Sequence, residues 1–302
     1  VAVDGTCNGL QHLSAMGCDP IGAAATNLLP LADRQDIYLE VAAAVREALQ
    51  EDMAAGDARA SAWFSEFSGS GGRKIVKRAV MTTPYGVTSA GIAKQIMKEG
   101  FTASLDGKGS ELSAYMRDLI QKALTQKVSK AKEIMAWLQS AAFEMGRVGL
   151  PFRWTTPTGS QIVQAYRNLD RVTVSTLAGR IWVYKENPQS TLDLRKQSAG
   201  SAPNLVHSFD AAHLFLTVER FAGSSEAPSL ALIHDSYGTH AADVEKLGRC
   251  IREAFVEIYS QNWIEKLQAE FTAYAPHAML PEPPEPGDFE VEKVLGAEFF
   301  FS

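Results

Sequence analysis

Two aspartates, Asp4 and Asp235, each sit where a short apolar stretch ends: Val1-Ala2-Val3 before the first, and Leu230-Ala231-Leu232-Ile233 just before the second. An aspartate in such a place often serves as a turn former or helix cap. A pair delivered by separate strands can also form a two-metal centre, in which carboxylates hold divalent ions roughly 3.5–4 Å apart. Oxygen ligands suit Mg²⁺, which keeps phosphate oxygens and waters in its shell. A second group of residues supplies the opposite charge. Arg73 and Lys77 are four apart and share a helical face, and Lys74 and Arg78 form a second such pair beside it. Cations this dense describe either a solvated helix face or a surface that meets something anionic. Tyr85 and Gly86 follow directly, an aromatic able to stack on a nucleobase and a glycine that lets a backbone come close.

The elements that must position these groups are partly legible. Val1–Val3 reads as a short strand turning at Asp4-Gly5-Thr6 into a helix over Asn8–Met16. Residues 36–55 carry an apolar repeat (Ile37, Val41, Val45, Leu49) at helical spacing. Gly69 to Gly72 reads as a flexible break before a basic helix that must stop near Pro84. Residues 110–146 read as one or two more helices, and 152–183 as strands and hairpins rich in Thr, Val, Ile, Tyr and Trp. Residues 185–203, with Pro188 and Pro203, are expected to loop before a helix over 204–222. A buried strand at 230–233 and a helix over 242–259 follow, then an extended acidic stretch at 281–286 and the aromatic end Phe299-Phe300-Phe301. The sum is a helix-rich α+β chain.

The chain has 302 residues, is 46% hydrophobic and carries a net charge of −6. No apolar run reaches the roughly 18 residues that suggest a membrane span. Its three cysteines show no zinc or redox spacing and read as free thiols. The charge is unevenly spread: residues 73–153 hold 14 Lys/Arg against 6 Asp/Glu, whereas residues 203–302 hold 6 against 16. Phosphate neutralisation needs local positive potential rather than a positive total, and the middle of the chain offers it. The opening residues read as the interior of a longer polypeptide.

Three stretches resemble the motifs of the single-subunit phage and mitochondrial RNA polymerases. Asp4 through Ser14 (D-G-T-C-N-G-L-Q-H-L-S) is similar to their motif A. Arg73 through Gly86 (R-x-x-x-K-R-x-x-M-T-x-x-Y-G) is similar to motif B, and His234 through Thr239 (H-D-S-Y-G-T) to motif C. Arg153–Pro157, Ala202–Ser208 and the C-terminal aromatic cluster resemble flanking family segments. The matches run in order from residue 4 to the last residue.

The resemblance implies a right-hand polymerase fold like that of family A, lacking thumb and N-terminal domain. Palm would come from 1–70 and 150–302, with fingers from 71–149. The palm would include a shortened specificity-hairpin-like segment near 164–195 and a C-terminal foot. It implies two Mg²⁺ ions held by Asp4 and Asp235, with the Gly5 carbonyl as a backbone ligand. Arg73 and Lys77 would grip the incoming triphosphate with Arg78 beside them, and Lys77 would protonate the departing pyrophosphate. Tyr85 would sit against the nascent base pair and help select ribose, with Gly86 beside it in the substrate site, and His207 would contact the ribose 2′-hydroxyl. Gly9 falls where family A DNA polymerases carry a glutamate that blocks that hydroxyl, and so would leave room for ribose.

The implied partners are a DNA template and promoter, nucleoside triphosphates and an RNA product, handled by a monomer without a membrane. The implied setting is the host cytoplasm, with a phage-encoded enzyme. Three alternatives stand beside it: a DNA polymerase of the same layout, a non-catalytic nucleic-acid-binding remnant, and a metal-dependent hydrolase built on His234, Asp235 and His240.

Overall fold

The computed structural model describes residues 1–67, 70–103, 105, 109–223 and 229–302, so Gly69 of the expected glycine break lies outside the described residues. Strand β1 (Ala2–Asp4) leads through a tight turn, with Cys7 at φ 58°, into α1 (Asn8–Met16), whose nine residues are all buried. A helix buried on every side must satisfy its polar groups internally. Gln11 donates to the carbonyls of Thr26 (2.9 Å) and Phe300 (3.0 Å), and His12 Nδ1 bonds the Tyr259 hydroxyl at 2.7 Å, while Gln11 Oε1 and His12 Nε2 have no partner among the described residues. Burial holds the His12 imidazole well below its usual pKa, so it sits in the core as a neutral ring.

The next helices are α2 (Pro20–Ala25), α3 (Ile37–Ala54) and α4 (Ala58–Phe64), each capped by an aspartate: Asp19, Asp36 and Asp57. The basic helix α5 (Gly71–Thr82) begins inside the expected glycine break. The glycines allow close packing rather than a flexible linker. A Cβ on Gly71 would lie 2.1 Å from the Glu66 carbonyl oxygen, and one on Gly72 would lie 2.6 Å from the Phe67 ring. Helices α6 (Ser89–Lys98), α7 (Gly109–Lys127) and α8 (Ser129–Arg147) complete this half.

Two antiparallel pairs follow, β2 (Phe152–Thr155) with β3 (Gln161–Gln164), and β4 (Leu169–Thr176) with β5 (Gly179–Glu186). The second is a hairpin with every residue of both strands exposed. The long helix α9 (Leu194–Gly223) then begins ten residues earlier than the expected start at 204. Asp193 starts it by accepting from Lys196 N–H at 3.1 Å. Pro203 lies within the helix, where it removes one N–H and leaves the Ala199 carbonyl without its usual donor. The expected loop over 185–203 is therefore shorter than its prolines implied. After β6 (Ala231–Ile233) and β7 (Ser236–Gly238) come α10 (Val244–Tyr259) and α11 (Trp263–Tyr274). The strand at 231–233 was expected to be buried. It is an edge strand pairing with β7 alone, and Ile233 is 72% exposed.

One continuous core runs from Leu10 to Phe301. α3 packs on α5 and α7, and α9 packs between α8 and α10. Phe209, Phe255 and Phe300 are fully buried, and the Phe255 ring packs edge-on to Phe300 at 4.8 Å. The C-terminal aromatics thus bind the end of the chain to α10 and α1.

Candidate active site

The floor of the site is a three-stranded antiparallel sheet in the order β1-β7-β6. Its register sets Asp4 opposite Ser236 on one side, and Ile233 opposite Ser236 on the other. His234 and Asp235 are therefore the two-residue turn of the β6–β7 hairpin, with His234 in the left-handed region at φ 54°. Asp235 immediately precedes the residue paired with Asp4, so both carboxylates stand at the same end of the sheet. The C-terminus fixes this corner from the other side: Ser302 N–H donates to the Asp4 carbonyl at 3.1 Å, and Gly5 bridges Phe301. That bridge uses the backbone groups of Asp4 and leaves the Gly5 carbonyl outside it.

The Asp4 carboxyl is pushed above the ordinary carboxylate range, first by burial and then by the charge of Asp235. The Gly5 N–H, which donates to Asp4 Oδ1 at 3.0 Å, and the Lys77 ammonium pull it the other way. Two like charges sharing one corner create a demand for a cation, and an all-oxygen donor set suits a hard divalent one. Among the described residues no group of three or more His, Cys, Asp or Glu side chains gathers as a metal cluster. The carboxylates lining the cavity at this corner are Asp4 and Asp235.

A cavity of about 380 Å³ opens beside the pair. Its walls are the turn from Gly5 to Gly9, the loop Arg34-Gln35-Asp36 with Tyr38, and the face of α5 and its following turn that carries Arg73, Lys77, Met81 and Tyr85. The four-residue spacing of 73, 77 and 81 is what puts them on one face. Asp36 holds two elements together here. Its Oδ1 caps α3 by accepting from the N–H groups of Tyr38 (2.9 Å) and Leu39 (3.1 Å), while Oδ2 accepts from Arg73 Nε at 2.8 Å. The Arg73 guanidinium and the Lys77 ammonium also lie 5.2 and 5.9 Å from the centroid of the Tyr38 ring. Arg78, one position on from Lys77, is turned about 100° around the helix. There it meets Glu99 at 2.7 Å instead of the cavity.

Gly9, Tyr85 and His207 come together. The Tyr85 ring stacks on His207 with centroids 4.6 Å apart and planes 18° from parallel. The space beside Gly9 is filled rather than left open. A Cβ there would lie 2.8 Å from Pro84 Cβ and 3.1 Å from both Cζ and the hydroxyl oxygen of Tyr85. The missing side chain admits Tyr85 itself. Gly86 is likewise shaped by packing: at φ +75°, a Cβ would lie 2.9 Å from Pro203 Cγ and 3.3 Å from the Ala199 carbonyl oxygen that Pro203 leaves undonated. Burial, with a smaller contribution from His234, pushes the His207 imidazole below its usual pKa.

Several residues of the site carry no motif signal that local reading would catch. Asp210, one turn beyond His207 on α9, accepts from the buried Asn8 Nδ2 at 2.7 Å and ties α9 to the start of α1. Burial and the charge of Asp235 push its carboxyl up to about 6, against the opposing pull of Asn8 and His234. Its offset of three from His207 is the one clue the chain offers, since it places both on one helical face. Asp36 is visible as a cap but not as a partner of Arg73, which lies 37 residues away.

A family model described as DNA-dependent RNA polymerase matches residues 1–280. Over 308 residues the chain is 35% identical to DNA-directed RNA polymerase 2A of Nicotiana tabacum, covering 99% of this chain and 90% of that protein. It is 36% identical over 308 residues to DNA-directed RNA polymerase 2B, chloroplastic/mitochondrial, of the same plant. It is 35% identical over 304 residues to DNA-directed RNA polymerase 1, mitochondrial, of Arabidopsis thaliana. In both cases 99% of this chain is covered, but it spans only 29% and 31% of those longer proteins. Two of these relatives carry plant organellar names where a phage setting was expected. With the match running through both aspartates and the basic helix, the chain belongs to the single-subunit, phage-type DNA-dependent RNA polymerase family.

Proposed function

We propose that the chain carries the nucleotidyl-transfer centre of a DNA-templated RNA polymerase, adding ribonucleoside monophosphates to an RNA 3′ end and releasing pyrophosphate. The observation that supports this most is the pairing of β1 with β7, which gathers Asp4 and Asp235 at one corner of a cavity whose far wall carries Lys77 and Arg73. Asp4 and Asp235 would hold two Mg²⁺ ions, with the Gly5 carbonyl as a backbone ligand. When bound, the ions activate the attacking hydroxyl and stabilise the leaving oxygens. Lys77 holds the triphosphate and donates a proton to the departing pyrophosphate. Arg73, oriented by Asp36, binds the same phosphates. Tyr85 and His207 form a stacked wall against which base and ribose rest, with an imidazole nitrogen of His207 meeting the 2′-hydroxyl. In this reading 1–70 and 150–302 are the palm and 71–149 the fingers. The exposed β4–β5 hairpin would face promoter DNA. A phage-encoded enzyme working in a host cytoplasm rests on the motifs alone, and the organellar names of the relatives favour an organelle-type setting equally.

The test is primer extension on a pre-formed RNA–DNA hybrid with Mg²⁺, offering ribonucleotides and deoxyribonucleotides in parallel. Extension with ribonucleotides in strong preference is the expected result. Extension with deoxyribonucleotides alone would replace this reading with a DNA polymerase. No extension by the chain, even when joined to the remaining segments of its longer relatives, would replace it with a binding remnant.

A further inference from the structure

We infer that Arg34 is a further substrate-binding residue, a cation that meets the triphosphate from the α2–α3 loop rather than from the basic helix. This rests on the nucleotidyl-transfer reading above and deepens it. Three cations line the cavity, Arg34, Arg73 and Lys77, against three aspartates, Asp4, Asp36 and Asp235. They are not equally placed. Arg73 gives its Nε to Asp36 through the 2.8 Å ion pair. Asp4 and Asp235 form the acidic corner. Beside Arg73, Lys77 and Arg34 are two cavity cations with no carboxylate partner among the described residues, and Arg34 makes no side-chain hydrogen bond there.

The loop carrying Arg34 is fixed in place. Asn27, in the left-handed region at φ 60°, accepts from Gln35 N–H at 2.8 Å and donates to the Gln35 carbonyl at 2.9 Å. The same Asn27 amide donates to Thr6 Oγ1 at 3.0 Å, in the turn that follows Asp4. The next residue, Asp36, is pinned by the cap of α3 and by Arg73. Arg34 therefore projects from a backbone whose next two residues, Gln35 and Asp36, are tied by hydrogen bonds to elements of the site. A guanidinium so placed matches phosphate oxygens in a two-pronged geometry that an ammonium lacks. A pre-positioned backbone also reduces the ordering cost of forming that contact.

The experiment is equilibrium binding of a non-hydrolysable ribonucleoside triphosphate, and of the matching monophosphate, to the full chain with Mg²⁺. Wild type would be compared with Arg34→Ala, Arg34→Lys and Lys77→Ala. The expected result is about fivefold weaker triphosphate binding in Arg34→Ala, partial recovery in Arg34→Lys, and unchanged monophosphate binding, as for loss of one charge-assisted phosphate contact. In steady-state extension the effect falls on KM more than on kcat. Triphosphate affinity that is unchanged in Arg34→Ala but weakened in Lys77→Ala would overturn the role of Arg34 and leave the functional reading standing. Affinity unchanged in both variants would overturn both, because the cavity would then not be the triphosphate site.

Discussion

Tyr85 and His207 lie face to face, 4.6 Å between ring centroids and 18° from parallel, although they come from separate motifs and are 122 positions apart. The stack stands because Gly9 has no side chain: the Tyr85 ring occupies the space a Cβ would need. Gly9→Ala should therefore displace Tyr85 rather than merely narrow the pocket. Overpacking of this kind costs about 1–3 kcal/mol, offset by roughly 1 kcal/mol of helix propensity. The expected outcome is a small loss of stability in urea titration, with a loss of extension rate of at least about tenfold, typical of misplaced reacting groups. Tyr85→Phe keeps the ring and should keep the rate, while relaxing the preference for ribose over deoxyribose in competition assays.

Asp36 should separate into its two roles by substitution. Asp36→Ala loses both the cap of α3 and the partner of Arg73, and should lower stability by about 1–2 kcal/mol. Asp36→Asn keeps a capping oxygen and should recover most of that in the same denaturant titration, while leaving Arg73 without its ion pair. Equal destabilisation by both variants would show that the ion pair, not the cap, carries the effect.

Neighbouring cations on α5 should behave differently. Arg78 is 47% exposed at its side chain and paired with Glu99, and a surface pair of this kind contributes about 0–1 kcal/mol. Arg78→Ala should leave extension within about twofold of wild type, the spread expected for such a pair. Lys77→Ala should reduce kcat by at least about a hundredfold if it supplies the proton to pyrophosphate. Comparable losses from both variants would contradict the assignment of the cavity face to Arg73 and Lys77.

Asp210 makes a prediction about pH. Its folded-state pKa is raised to about 6, mainly by burial and next by Asp235. A raised carboxyl binds its proton more tightly in the folded state than in the unfolded one. Its contribution is therefore fully present below the unfolded pKa and is lost as pH rises to about 6. Asp210→Asn retains an oxygen to accept from Asn8 and removes the charge. It should be more stable than wild type at pH 8 by about 1–2 kcal/mol, with the difference shrinking toward pH 4, as measured by urea unfolding.

What could be read from the chain followed the range of its physics. α1, α3 and the stop of α5 before Pro84 rest on periodicity, caps and a proline, all of which act within a few residues. Pro203 misled because a long helix with packed neighbours tolerates one lost hydrogen bond, and the packing of α9 against α8 and α10 is invisible locally. Arg78 and Lys77 are equivalent by composition and are separated only by which way the helix faces. Gly9 pointed to an open pocket because the residue that fills it, Tyr85, arrives from 76 positions away. Asp210 and Arg34 bear no motif and become visible once α9 and the α2–α3 loop are placed beside α1.

The central claim is that Asp4 and Asp235 act as one metal-holding centre for nucleotidyl transfer. Its most direct test is the rate of single-nucleotide addition on an RNA–DNA hybrid, titrated with Mg²⁺, for wild type, Asp4→Asn and Asp235→Asn. Either substitution removes a ligand charge and is expected to reduce the rate by at least about a thousandfold at every Mg²⁺ concentration, the scale of losing a catalytic electrostatic group. A variant that added nucleotides at the wild-type rate with the same Mg²⁺ dependence would contradict the account.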